Sequence, residues 1–287
     1  GFNSPRVALL FRLRDNLSMR TSYGRAFHAP STYYSYNSLA WEVQGGGIYY
    51  EAVPNTDLKP ESLDAFEFGL RFDPNKRIHT ELILSYHILY NQFTLGAFPL
   101  DSNQYPNRVP EQTITTAFVN YGDTRLQMYS IQLVVGLKDI VDAVKLDVDF
   151  HASYNGGDEI LPYNFGKLDQ VRNLPPFMGQ LNIGLNPTDN IYLNFRNVFM
   201  GKAYHAYFPA PPSLLEEQGY ALETDAYYTM DMTVRFNISR NFDAFFILNN
   251  VFNAEYGGID AYGGKYDMLY NPQYRRNFRF GLSFSME

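Results

Sequence analysis

Apolar and polar residues alternate along the chain with a period of two, most clearly in residues 277–286. There one face carries Phe278, Phe280, Leu282, Phe284 and Met286, and the other carries small or polar residues. Such alternation is typical of an extended strand with one apolar and one wetted face. A tilted strand of about ten residues can also cross a lipid bilayer.

The same alternation recurs often enough to predict about eleven strands. They are expected over residues 6–13, 17–27, 66–72, 82–90, 129–137, 144–152, 181–185, 191–195, 228–238, 242–252 and 277–286. The connections between them are alternately short and long, of about 4 and about 25 residues, and bacterial outer-membrane barrels have short periplasmic turns and long extracellular loops. We therefore predict an all-β fold, an antiparallel transmembrane β-barrel in a bacterial outer membrane, with its long loops extracellular and its short turns periplasmic.

Charged side chains distinguish the two faces of these strands. An Arg or Lys that faces lipid near the middle of the bilayer costs about 2–4 kcal/mol. A slip of one residue exchanges the two faces of a strand, so it would expose several arginines at once. The charged rows are therefore expected to line an aqueous lumen. A soluble antiparallel sandwich also alternates, but it gives no reason for connections of two lengths.

Composition narrows the class of protein further. The 287 residues are 17% aromatic, their mean hydropathy is −0.30, and no run approaches 18 consecutive apolar residues, so no transmembrane helix is expected. The net charge of −7 without a long basic run argues against nucleic acid as a partner. The chain has no Cys, which fits an oxidising cell-envelope location.

Four ordered segments resemble TonB-dependent outer-membrane receptors. They are residues 19–31 (MRTSYGRAFHAPS), residues 55–61 (NTDLKPE) with 67–70 (EFGL), residues 248–256 (LNNVFNAEY) and the ending at 276–286. The resemblance implies a barrel of about 22 strands that holds a plug domain. It also implies uptake of a scarce, bulky ligand, such as a ferric siderophore, haem or cobalamin, with energy from the TonB system.

The resemblance also predicts which part of such a receptor this chain represents. About eleven strands is half of 22, and bacterial single-chain barrels have even strand numbers. We expect residues 1–287 to be the C-terminal part of the barrel, without the plug domain and the N-terminal barrel half. The four matching segments are expected to be architectural.

Aromatic residues in the long connections are the expected ligand-binding residues, because Tyr and Trp offer large contact areas with a polar tip. These residues are Tyr33, Tyr34, Tyr36, Trp41, Tyr49, Tyr50, Tyr204, His205, Tyr207, Tyr262 and Tyr266. The alternative is that they form an interfacial girdle or pack loop against loop. The acidic pair Asp158 and Glu159 also falls in a long connection, where we expect solvation rather than calcium binding.

Charged residues of the lumen face are the expected contacts of the plug. They are Arg12, Arg20, Glu67, Arg71, Glu81, Asp147, Asp149, Asp231, Arg235 and Arg279. They could equally pair with one another across neighbouring strands of the barrel wall.

Enzymatic motifs are missing from the sequence. There is no Gly-x-Ser-x-Gly elbow, phosphate-binding loop or dinucleotide fingerprint, and no His pair has metal-site spacing, so we predict no enzyme, no metal and no cofactor. Two other functions stay open beside uptake: a passive porin-like channel, whose lumen charges set selectivity, and a barrel scaffold that binds a partner protein through its extracellular loops.

Overall fold

The computed structural model describes residues 3–42, 49–98, 113–120, 125–160, 167–168, 171–204, 223–257 and 272–285. In chain order the elements are β1 (Arg6–Arg14), β2 (Leu17–His28), α1 (Thr32–Tyr36), β3 (Leu39–Glu42), β4 (Tyr49–Ala52), β5 (Glu61–Asn75), β6 (Ile78–Tyr90), β7 (Phe93–Phe98), β8 (Thr113–Asn120), β9 (Arg125–Leu137), β10 (Asp147–Ile160), β11 (Lys167–Leu168), β12 (Phe177–Thr188), β13 (Ile191–Met200), β14 (Tyr227–Ser239), β15 (Phe242–Asn249) and β16 (Asn277–Phe284). No helix among these residues is long and apolar enough to cross a membrane.

Eleven of these strands form one antiparallel sheet in which neighbours along the chain are also neighbours in space. Its order is β1-β2-β5-β6-β9-β10-β12-β13-β14-β15-β16, and the two-residue β11 pairs with the end of β10. We call the end of the sheet with the short connections the turn end, and the other the loop end. The prediction of eleven antiparallel strands is confirmed.

The strand registers sort the side chains into two faces. One row across the sheet runs through Leu9, Thr21, Phe68, Leu84, Ile131 and Tyr154. The adjacent row, on the opposite face, runs through Leu10, Arg20, Gly69, Ile83, Gln132 and Ser153. We call these the apolar face and the polar face.

The apolar face is not covered by any other part of the described chain. Phe278 is 71% exposed and Leu9 is 50% exposed, although both are large hydrophobic residues. A soluble sandwich would bury such rows against a second sheet. The apolar face is therefore suited to contact with lipid.

The structure corrects several strand boundaries. The strand expected at 144–152 begins only at Asp147, because the preceding residues form turns in which the Val144 N–H donates to the Val141 carbonyl at 3.2 Å. β10 then continues to Ile160, into a segment expected to be a loop. The strand expected at 242–252 ends at Asn249, because Asn250 adopts a left-handed φ of 50°.

A second sheet lies in the long connections, where the sequence analysis predicted no strands. Its order is β3-β4-β8-β7, and β4 pairs with β8 in parallel. The helix α1 precedes it, and the Ser31 side chain caps α1 by accepting a hydrogen bond from the Tyr34 N–H at 3.2 Å. We call α1 and this four-stranded sheet the cap.

A buried polar residue, Asn197, lies among the large hydrophobic residues of the apolar face, and its hydrogen bonds explain how it is tolerated. Asn197 is buried, its amide donates to the Leu181 carbonyl at 3.0 Å, and its carbonyl accepts from the Tyr228 hydroxyl at 2.7 Å. The Tyr228 ring stacks on Phe199 at 4.8 Å. The Tyr228 side chain thus covers the Asn197 amide and shields it from lipid.

Tyr228→Phe is expected to destabilise the barrel by about 1–3 kcal/mol, because the buried carbonyl of Asn197 loses its donor where no water replaces it. Equilibrium unfolding from lipid vesicles measures the loss. Tyr192→Phe on the neighbouring polar face is the control, since the Tyr192 hydroxyl has no hydrogen-bond partner among the described residues. Equal effects of the two substitutions would contradict this role of Tyr228.

Candidate functional site

The cap exposes two aromatic side chains and packs a third, half-buried one against its own strands. Tyr33 is 60% exposed and Tyr36 is 64% exposed. Tyr34, between them, packs against Phe118 and Phe93 with ring centroids 4.7 and 5.2 Å apart. Residues three apart on a helix share a face, so Tyr33 and Tyr36 form one exposed pair while Tyr34 anchors α1.

Hydrogen bonds attach the cap to the loop end of the main sheet. The Glu61 carboxylate, at the start of β5, accepts from the Phe93 N–H at 2.7 Å and contacts the His28 ring nitrogen at 3.1 Å. The Asn120 amide donates to the carbonyls of Lys59 and Asn91 at 2.7 and 2.8 Å. The cap is therefore held above the ends of β2, β5 and β6.

Other predicted ligand-binding residues have different outcomes. Tyr204 is half-buried, forms an isolated bridge with Glu223, and its carbonyl accepts from the Asn173 N–H at 2.8 Å. The backbone of Trp41, Tyr49 and Tyr50 lies in β3 and β4, but their side chains are outside the description. His205, Tyr207, Tyr262 and Tyr266 lie outside the described residues.

Charges of the polar face pair with one another near the turn end. The Arg20 guanidinium lies 3.3 Å from the Glu81 carboxylate. To reach it, Arg20 crosses Gly69, where a Cβ would stand 2.6 Å from the Arg20 Nε, so a larger residue there would displace the Arg20 side chain. Arg71 and His79 both contact the Asp73 carboxylate, at 2.7 and 2.6 Å. These ion pairs are made within the main sheet itself, along β5 and between β2, β5 and β6.

A second polar cluster lies near the loop end. Arg196 is 3.9 Å from the Asp231 carboxylate, which also accepts from the Asn250 N–H at 2.8 Å. Tyr227 stacks on Tyr256 at 4.4 Å beside them. Burial, with a smaller contribution from the Asp231 carboxylate, raises the pKa of the Tyr256 hydroxyl. That hydroxyl therefore stays neutral at physiological pH.

The remaining charged residues of the predicted lumen set divide into two groups. Asp147 accepts a hydrogen bond from the Asp139 N–H at 2.9 Å, so it caps the turn. Asp149 lies over Gly136, beside His79. The others make no ion pair with any described residue: Arg12, Glu67, Arg235 and Arg279. The polar face thus combines ion pairs within the sheet with charged side chains that have no ion-pair partner among the described residues.

One ion pair of the loop end was missed by sequence reasoning. Glu159 is only 3% exposed. The Arg172 guanidinium donates two hydrogen bonds to its carboxylate, one of them from the Nε at 2.8 Å. The expectation that Glu159 is solvated is wrong. Its partner lies 13 residues away across a long connection, and no periodic pattern links the two positions.

The described residues contain no group of three or more His, Cys, Asp or Glu side chains that could hold a metal ion. The arrangement offers aromatic contact surface at the loop end and charged groups along the polar face. Aromatic surface and charged groups of this kind are chemically suited to contact with a large amphiphilic molecule.

Comparisons with known proteins agree with this architecture. A family model described as TonB dependent receptor-like, beta-barrel, matches residues 1–251. The ferric enterobactin receptor PfeA from Pseudomonas aeruginosa superposes with a TM-score of 0.74 at 18% identity, over 99% of this chain and 40% of that one. No curated protein matches by sequence.

Two further solved structures share the fold. The siderophore receptor PirA from Acinetobacter baumannii matches with a TM-score of 0.72 at 16% identity, over 99% of this chain and 41% of its own. The ferric-catecholate import receptor Fiu from Escherichia coli K12 matches with a TM-score of 0.64 at 14% identity, over 97% of this chain and 34% of its own. This chain therefore spans about 40% of the length of PfeA and PirA.

The family and the fold confirm three of the expectations from sequence. The fold is that of an antiparallel outer-membrane barrel, the relatives are receptors rather than enzymes, and the family model confirms the resemblance to TonB-dependent receptors. The family model covers most of residues 1–287, and TonB-dependent receptor barrels are proteins of the outer membrane. The chain belongs to the TonB-dependent receptor β-barrel family.

Proposed function

We propose that this chain is the C-terminal barrel part of a receptor that imports a scarce, bulky ligand with energy supplied by the TonB system. The observation that carries the proposal is the exposed pair Tyr33 and Tyr36 on a cap anchored above the polar face. Two rigid aromatic rings suit a large amphiphilic ligand. In this proposal the loop end is extracellular and the turn end periplasmic, as family architecture favours.

The free edges of the main sheet support the proposal that more barrel accompanies these strands. Among the described strands, β1 and β16 each have a neighbour on one side only. Unpaired backbone groups cannot be left facing hydrocarbon, so both edges need partner strands. We propose that an N-terminal barrel half supplies them and that the closed barrel, of about 22 strands, holds a plug domain.

The uncompensated charges of the polar face are the proposed plug contacts. Arg20, Arg71, Glu81 and Asp231 already have partners within the wall. Arg12, Glu67, Arg235 and Arg279 have none among the described residues, and they point into the proposed lumen. Ion pairs with a plug would compensate them. Asp147 and Asp149, beside turn residues and His79, are the weakest members of the proposed set.

A ferric siderophore is the proposed ligand. PfeA and Fiu are named for ferric enterobactin and for ferric catecholates, and PirA is named a siderophore receptor. At 14–18% identity these names serve only to order the ligands for testing. Ferric catecholates come first, then hydroxamate siderophores, haem and cobalamin.

The experiment is uptake of labelled ferric siderophores by cells that carry the full-length protein and no other receptor for them. Saturable uptake that stops when TonB is deleted supports the proposal. Uptake that is unsaturable and independent of TonB would identify a porin-like channel instead. Absence of uptake together with a stably co-purifying protein would favour the scaffold function.

Replacing Tyr33 and Tyr36 together with Ala is expected to raise the dissociation constant of the imported ligand about thirty-fold or more, because aromatic rings in a binding surface contribute about 1–2 kcal/mol each. Quenching of intrinsic fluorescence on titration measures it. Tyr34→Phe is the control, since it keeps the packed ring. Unchanged affinity in the double variant would exclude this pair from the ligand site.

A further inference from the structure

The apolar face carries a groove near the edge of the main sheet that is formed by β1. Its volume is about 470 Å³ and its walls come from four neighbouring strands, β1, β2, β5 and β6. The side chains of the apolar face that line it include Leu9, Thr21, Tyr23, Phe66, Phe68 and Tyr86. A groove on a surface that faces hydrocarbon is more readily filled by a lipid chain than by water.

A small side chain at the centre accounts for the groove. Thr21 lies in a row between Leu9 and Phe68, both of which are much larger. The Thr21 hydroxyl donates to the Glu67 carbonyl at 3.2 Å, so it has a hydrogen-bond partner within the sheet. The depression is thus dry and apolar, and its floor belongs to interior strands of the sheet.

An arginine stands just beyond the loop end of the groove. The Tyr23 hydroxyl donates to the Asp64 carboxylate at 2.9 Å, and the Arg25 Nε lies 3.6 Å from the same carboxylate. The register places Arg25 and Asp64 opposite each other on the apolar face. The Arg25 side chain is 43% exposed and Asp64 only 16%, so the guanidinium retains outward-facing donors.

A second arginine lies beyond the groove on its β6 side, where a tyrosine hydroxyl again connects to it through a polar side chain. Tyr86 lines the groove, and its hydroxyl contacts the Gln127 amide, which in turn contacts the exposed Arg125. Three interstrand steps separate β2 from β9, which corresponds to about 14 Å. Two tyrosines therefore mark the end of the hydrocarbon layer, with a cation beyond each.

We infer that the groove holds an acyl chain of a phosphorylated membrane lipid, whose anionic headgroup lies against Arg25 and Arg125. The apolar walls recognise the chain, and a guanidinium is the side chain best suited to a phosphate oxygen pair. A headgroup that carries two phosphates would span both cations. The inference rests on the membrane placement of the barrel and is independent of which ligand the receptor imports.

The test is native mass spectrometry of the full-length protein in detergent, with lipid A, a bisphosphorylated acylated disaccharide, and with zwitterionic phosphatidylethanolamine. We expect lipid A to be retained and phosphatidylethanolamine to be lost at equal concentration. Arg25→Gln is expected to lower retention of lipid A about five-fold. Thr21→Phe, which fills the groove without changing charge, is expected to lower it as well.

Arg77→Gln, at the turn end and away from the groove, is the control and should retain lipid A like the unaltered protein. Heat-modifiable migration in gels verifies that each variant is folded. Equal retention of the two lipids, or full retention by both groove variants, would overturn the inference. Binding of the imported ligand, measured on the same samples, should be unchanged in all variants, so a failure of the uptake proposal is distinguishable from a failure of this one.

Discussion

Ile131→Arg is expected to prevent stable insertion of the barrel, whereas the same substitution one residue later, Gln132→Arg, is expected to be tolerated. Ile131 lies near the middle of β9 on the apolar face, 46% exposed and opposite Leu84 and Tyr154. An arginine there would meet hydrocarbon, at a cost of about 2–4 kcal/mol. Gln132 lies on the polar face, opposite Ile83 and Ser153.

Folding of the full-length protein into lipid vesicles measures this difference. The fraction of heat-modifiable protein, titrated with urea, gives the free energy of unfolding for each variant. Because the two positions are adjacent and receive the same side chain, strand propensity and charge are matched. Similar losses for Ile131→Arg and Gln132→Arg would show that the two faces do not differ in environment.

Arg172→Gln is expected to weaken the local structure at the loop end of β10 by about 3–5 kcal/mol, because it leaves the Glu159 carboxylate buried without a cation. Glu159 is 3% exposed, and the segment that carries Arg172 also supplies the Pro176 carbonyl, which accepts from the Asn155 N–H at 2.7 Å. Hydrogen exchange at Asn155 should accelerate about a hundred-fold or more.

Two further variants isolate the electrostatic cause. Adding Glu159→Gln to Arg172→Gln removes the stranded charge and should recover much of the protection. Lys202→Gln breaks a pair with Glu223 in which both side chains are more than half exposed, and it should cost no more than about 1 kcal/mol. A double variant as unprotected as Arg172→Gln would mean that the ion pair is not what holds the segment.

The main sheet could be predicted from sequence because its strands repeat one physical constraint. Each strand must present apolar side chains to one environment and polar side chains to another, so alternation alone placed Leu84 and Ser85 on opposite faces. Boundaries were less accurate. Phe252 continues an apolar pattern, but β15 ends at Asn249, where the Asn250 side chain accepts from the Ala254 N–H and turns the chain.

The cap and the ion pairs could not be read from the same pattern. The parallel pairing of β4 with β8 joins segments far apart in sequence, and β4 has only four residues, too few to show a clear period. Tyr33 and Tyr34 are identical in type and both contact Phe118, yet Tyr33 is 60% exposed whereas Tyr34 also packs on Phe93. Only the three-dimensional placement of β7 and β8 distinguishes the exposed ring of Tyr33 from the ring of Tyr34, which anchors α1.

Accessibility of single spin labels tests the central claim, that the apolar face meets lipid and the polar face water. The chain has no Cys, so labels placed singly at residues 82–87 of β6 each report one position. The account predicts strong relaxation by oxygen at Leu82, Leu84 and Tyr86, and weaker relaxation by oxygen at Ile83, Ser85 and His87, in the full-length protein in bilayers. Equal exposure to a water-soluble reagent at all six positions would contradict it.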